Sequence, residues 1–181
     1  MEKQSELKVD AEAFIKSEDL SSSEQEAPCF WKSIELRTTE VSSSDFLEIL
    51  KRVGEKGFSW TVWFMEAGKG DICENTVIRL ADVSVEDTKK KSRCRILVSS
   101  FYGFSCLIIP ANREIVGLIK SVLENRGYDV KAEELYVSFY TELTSVDDER
   151  CSYDDSYPVH VVTCKTKEDA KAVLEKYFRS A

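Results

Sequence analysis

Histidine occurs once in this sequence, at position 160, and that scarcity narrows the chemistry more than any other feature. Any mechanism using imidazole as acid, base or ligand must pass through His160. The six cysteines, at 29, 73, 94, 106, 151 and 164, form no C-x-x-C pair and have no histidine at ligand spacing, which argues against a zinc site. Long apolar runs are missing too. Cys106 to Pro110 and Val159 to Val162, the latter broken by His160, fall far short of the roughly 20 residues that cross a bilayer. Met1 to Glu6 lead into no apolar stretch, so a cleaved secretory leader is not expected. A reducing, intracellular setting, cytoplasmic or nuclear, follows as the expectation. There the cysteines read as free thiols, mostly buried as small hydrophobes.

What is present suffices for one ordinary domain and an extension: 181 residues, 43% of them hydrophobic. The net charge of −8 is unevenly spread. Residues 1–28 hold eight acidic residues against three lysines, and 141–157 hold six against Arg150 alone. The body is close to neutral, with two acidic appendages, and shows no large basic footprint for nucleic acid.

The first 28 residues are rich in Ser, Glu and Lys and poor in aromatics, a composition that cannot offset its own ordering entropy. They read as a disordered acidic tail preceding a single domain over 29–181. Leu7, Ala11, Phe14 and Ile15 nevertheless share one helical stripe, and Leu7, Phe14 and Ile15 are the tail residues expected to meet a partner's groove. Leu7-Lys8-Val9-Asp10 and Ile15-Lys16-Ser17-Glu18 fit the pattern read by SUMO-conjugating enzymes. Ser23, followed by Glu24 and Glu26, resembles an acidic-directed kinase site.

From Trp31 the periodicities are those of strands and helices. Strands are expected over 31–41, 58–65, 76–85, 93–101, 104–109, 135–143 and 158–164. Helices are expected from Ser44 or Asp45, with Asp45 and Glu48 in capping-box spacing, to Gly54 or Gly57; from Pro110-Ala111-Asn112, which opens the second, to Gly127; and from Lys167 to Phe178. Ile49 to Gly57 echoes Leu118 to Gly127, and in both places a helix feeds a strand, a polar loop and another strand. The expected class is therefore α+β, with a mixed or antiparallel sheet and about three helices. Its arrangement is either ferredoxin-like, in the rhythm of the final strand and helix, or a duplicated βαββ unit.

Four segments suggest chemistry, each with a plainer reading beside it. His160 sits within an expected strand, roughly 13 Å along it from Cys164, so the two form no dyad and His160 reads as structural. The acidic loop Asp147 to Asp155 offers carboxylates for Ca²⁺ or Mg²⁺ but lacks the EF-hand register, and reads as a solvated loop. Gly68-Lys69-Gly70 lacks the spacing of a phosphate-binding loop and reads as a hairpin turn. Lys89, Lys90, Lys91, Arg93 and Arg95 are the candidate nucleic-acid contacts, with the aromatic strands as stacking platforms. The plainer reading there is a charged turn that keeps a sheet edge soluble.

No catalytic residue, cofactor or metal ligand is assigned. The leading expectation is a non-enzymatic protein-interaction or regulatory module with a modifiable acidic tail. The alternatives are an RNA- or single-strand-binding domain, and an enzyme built on carboxylates or a thiol, with Cys164 or Cys106 beside Asp147 to Asp155.

Overall fold

In the computed structural model of the chain, residues 15–16, 29–66, 77–89, 92–139, 145–155, 157 and 160–177 are described. The architecture is α+β, with a largely antiparallel sheet and three helices among the described residues. The chain divides into two compact units, one over 33–133 and one from 15–16, 29–32 and the described residues beyond 133, so the expected domain 29–181 contributes to both.

The larger unit is a sheet in the order β3-β4-β5-β6-β2, antiparallel throughout. Its strands are β2 (Phe30–Thr39, of which the residues from Ser33 belong here), β3 (Ser59–Glu66), β4 (Leu80–Asp87), β5 (Ser92–Phe101) and β6 (Phe104–Pro110). Alternation sorts their side chains. Leu36, Ala81, Val83, Val85, Cys94, Ile96, Val98, Leu107 and Ile109 enter one core, where helices α1 (Ser43–Glu55) and α2 (Arg113–Asn125) pack. The helices supply Phe46, Ile49, Leu50 and Val53, and Ile115, Ile119, Val122 and Leu123, at the spacing of one apolar stripe.

The start of α1 differs from the expected capping box. Ser42 is the N-cap, its hydroxyl accepting from the Asp45 N–H at 3.2 Å, which frees the Asp45 carboxylate for other partners. That carboxylate accepts from the Tyr128 hydroxyl at 2.6 Å and pairs with Arg126 at 3.1 Å, clamping α1 to the chain leaving α2. Gly57, at φ +98°, takes up the left-handed turn after α1.

The smaller unit holds β1 (Ile15–Lys16), the first residues of β2, β7 (Lys131–Ser138, from Glu134), β8 (Cys151–Asp154), β9 (Val161–Cys164) and α3 (Lys167–Tyr177). β1 runs parallel to β2, Ile15 opposite Phe30, and β9 lies between β7 and β8, antiparallel to both. Phe30, Val146, Val162, Cys164, Ala170, Val173 and Leu174 form its core.

Two expectations are corrected here. The stretch expected as one acidic loop contains β8, and Ile15, expected on a helical stripe, pairs as a strand. Element order does run βαββ twice, as β2-α1-β3-β4 and β6-α2-β7-β8, but β3 and β4 pair as a hairpin whereas β9 separates β7 from β8.

Candidate functional site

The turn between β5 and β6 is two residues, Tyr102 and Gly103, both at positive φ (54° and 86°), which is the requirement of a type I′ hairpin loop. Asn-Gly is the pair that such a loop favours, because asparagine tolerates the left-handed region and tyrosine resists it. Here tyrosine occupies the first position and is 98% exposed. Phe101 and Phe104, directly opposite each other across the hairpin, are 54% and 61% exposed. Three large aromatic side chains thus stand at one tip, outside the core that every neighbouring strand builds. The tip is anchored from below: the Gly103 carbonyl accepts from Glu40 N–H at 3.2 Å, and the Ser100 and Ser105 hydroxyls meet at 2.6 Å, with Ser105 also accepting from Val41 N–H at 2.8 Å.

A cleft of about 510 Å³ opens beside this tip. Phe101, Tyr102, Phe104 and Cys106 line one part of it, and Arg37, Thr38, Thr39, Asp129 and Lys131 the rest. Its size falls in the range of ligand clefts, roughly 300 to 1,000 Å³. Arg37 lies opposite Cys106 in the β2–β6 register and is held at 2.9 Å by Glu35, two residues back on the same face of the strand. That carboxylate raises the guanidinium's pKa further, with Cys106 adding to the effect, so Arg37 is a fixed cation. Burial, and then Glu35, push the Cys106 thiol above its ordinary value although Arg37 opposes them, so Cys106 is not an activated nucleophile.

The basic segment is neutralised within the sheet. Arg93 meets Glu86 at 3.3 Å directly across the β4–β5 pair, and Arg95 meets the buried Asp82 at 3.1 Å on the diagonal. Lys89 sits in the turn, its N–H donating to the Asp87 carboxylate at 3.1 Å; Lys90 and Lys91 lie outside the described residues. Phe101 lies eight positions along β5 from Arg93, roughly 26 Å of strand, so the cations and the aromatic tip do not converge.

Of the tail candidates, Ile15 pairs with Phe30 in β1, and Leu7 and Phe14 lie outside the described residues. The Gly68-Lys69-Gly70 turn lies outside them as well. His160 is half-buried, its Nδ1 hydrogen-bonded to the Tyr153 hydroxyl and its ring edge-on to that of Tyr153, centroids 5.6 Å apart.

The free-thiol expectation is corrected for two cysteines. Cys151 and Cys164 stand opposite each other in the β8–β9 pair, Cα atoms 4.4 Å apart, and form a disulfide. A pair directly opposite on antiparallel strands is within bonding reach, and that adjacency is invisible in a 13-residue sequence separation. Cys94 and Cys106 carry free thiols, burial pushes that of Cys94 up to about 12, and Cys73 lies outside the described residues.

Within the acidic stretch one carboxylate is held internally. Asp148, 5% exposed, accepts from the Arg150 guanidinium at 2.7 and 2.9 Å and lies 3.6 Å from Lys176. Among the described residues no three His, Cys, Asp or Glu side chains converge to hold a metal ion. None of the described helices is long and apolar enough to cross a membrane.

The aromatic tip falls in the gap between the expected strands 93–101 and 104–109, and sequence reasoning did not recognise it as a site. The signal was there in Tyr102, a bulky residue where a two-residue hairpin calls for asparagine.

No protein-family model and no curated protein matches the chain. Among solved structures it is similar to the crystal structure of Clostridium acetobutylicum aspartate kinase, which is described as an allosteric enzyme, at 12% identity and a TM-score of 0.40. The match covers 89% of this chain and 37% of that one. A likeness of that size carries no argument about activity or partner, and the site stands on its own residues.

Proposed function

We propose that this chain is a non-enzymatic protein-interaction module with a regulatory role, and that its contact surface is the aromatic tip of the β5–β6 hairpin. The observation that carries this reading is Tyr102, 98% exposed and held at φ 54° between two further exposed phenylalanines. Clustered exposed aromatics mark contact sites, since tyrosine and phenylalanine bring large apolar area with little rotamer entropy. The acidic tail, with Ser23 and its two lysine motifs, modulates the contact through added charge or tethering.

The geometry weighs against the alternatives. Binding of nucleic acid through 89–95 would draw on Arg93 and Arg95, whose charge is already offset by carboxylates on β4. Thiol chemistry at Cys164 would require its disulfide to open first. An intracellular location is part of the reading, and the same disulfide counts against it, because such bonds are rare in reducing compartments.

The test is capture of partners from nuclease-treated lysate by the full chain and by a Tyr102→Ser, Phe104→Ser variant whose melting temperature has been checked. Recovery of a protein by the first and its loss with the second supports the module. Equal recovery by both removes the tip from the contact. Nucleic acid released by modest salt, with no protein, favours the RNA-binding alternative.

A further inference from the structure

We infer that the Cys151–Cys164 disulfide is a reversible redox switch on strand β8, exchanging with small thiols such as glutathione through the sulfur of Cys151. The switch lies in the smaller unit and does not depend on the tip being a contact surface. Cys151 is half-buried on β8, the last strand of the sheet among the described residues, whereas Cys164 is fully buried on β9 within the core of that unit. The bond joins directly opposite residues, and a thiolate must attack a disulfide sulfur in line with the bond it breaks. For Cys151 that approach comes from beyond β8, where the sheet ends. For Cys164 it meets β7, whose Tyr136 stands opposite Cys164 in the register.

Leaving-group chemistry points the other way. Attack at Cys151 expels the thiolate of Cys164, and burial disfavours charge there. That penalty slows the exchange, whereas a blocked approach prevents it, so access decides which sulfur reacts. In the first step a glutathione thiolate bonds to the Cys151 sulfur, the Cys151–Cys164 bond breaks, and its electron pair goes to Cys164, which takes a proton from water. A second glutathione thiolate attacks the sulfur of the bound glutathione, releasing oxidised glutathione and the Cys151 thiolate, which is protonated in turn. Two glutathiones lose one proton each and two cysteines gain one each, so the exchange balances.

The bond can reform because β8 keeps other ties. Cys151–Asp154 pair with β9, the Tyr153 hydroxyl is hydrogen-bonded to His160 Nδ1, and the Tyr177 hydroxyl donates to the Asp147 carbonyl at 2.7 Å, ahead of β8. The two thiols therefore stay opposite each other at high effective concentration. A bond that opens to glutathione suits a reducing compartment, where a permanent one is rare.

The experiment treats the full chain with reduced glutathione in native buffer, traps thiols with excess N-ethylmaleimide in urea, and maps both labels by mass spectrometry. The trapped intermediate should carry glutathione on Cys151 and maleimide on Cys164, and oxidised glutathione should restore the disulfide in an untrapped sample. Glutathione on Cys164, or on both equally, overturns the inference. So does a disulfide that opens only when urea precedes glutathione, or one that does not reform. Treated with oxidised glutathione, Cys164→Ser should gain an adduct at Cys151, while Cys151→Ser should gain none at Cys164. Both variants lack the crosslink, so the contrast reads access and not stability, and equal adducts overturn the assignment of Cys151.

Discussion

Asp82 and Asp148 carry the same carboxyl group on opposite sides of its ordinary value of 3.8, for opposite reasons. Burial raises Asp82 and the nearby Arg95 only partly opposes it; hydrogen bonds from Arg150 lower Asp148. The consequences for stability have opposite signs. The depressed Asp148 contributes stability that is present above 3.8 and is lost as pH falls below it. The raised Asp82 favours the protonated folded form, so stability declines as pH rises from 3.8 through its elevated value. Carbon-13 carboxyl titration by NMR should place the Asp148 midpoint below 3.8 and that of Asp82 above it, and an inverted order would refute both assignments. Tyr102 poses the other residue-scale question. Replacement by Asn should stabilise the hairpin by roughly 1 kcal/mol, because asparagine accepts the left-handed backbone, while weakening partner capture. Urea unfolding beside a binding assay reads both. A destabilised Tyr102→Asn would mean that the ring packs into the fold and is not presented by it.

At the scale of elements, local signals were the legible ones. Asn112 and the apolar stripe Ile115, Ile119, Val122 and Leu123 announce α2, because a cap and a 3.6-residue period are written in neighbouring residues. For α1 the period was equally clear and the cap was displaced. Ser42 and Asp45 stand in the same spacing as Asp45 and Glu48, and what decides between them is the distant pairing of Asp45 with Tyr128 and Arg126. Ser42→Ala should cost about 1 kcal/mol in chemical unfolding, as for loss of an N-cap. No loss on Ser42→Ala would move the start of α1 away from Ser42. Cys151-Ser152-Tyr153-Asp154 has no strand pattern strong enough to stand out of an acidic stretch. It is a strand because β9 pairs with it and Cys164 bonds to it, and non-local causes of that kind leave no trace in composition. The same holds at the tip, where Phe101 and Phe104 read as ordinary strand aromatics and only their place at the strand ends exposes them.

The whole chain carries two unlike means of staying folded. The larger unit has a core of 21 buried residues, the smaller one of seven together with the Cys151–Cys164 bond, counted among the described residues. A crosslink closing a loop of this length contributes about 3 kcal/mol, a large share of what a core of seven can hold. Reductant, or Cys151→Ser with Cys164→Ser, should therefore speed amide exchange in β8, β9 and α3 while leaving β4, β5 and α2 protected. Uniform loss of protection in both units would show that they unfold as one.

The disulfide also makes a covalent ring of residues 151 to 164. Breaking any one peptide bond within that ring leaves the molecule in a single piece. A protease nick there should leave the mass on a non-reducing gel unchanged and yield two fragments once reductant is added. In that stretch the continuity of the polypeptide does not depend on its backbone alone, which makes it a natural place to open the chain or to graft a reporter while Tyr153 still holds His160 across the cut.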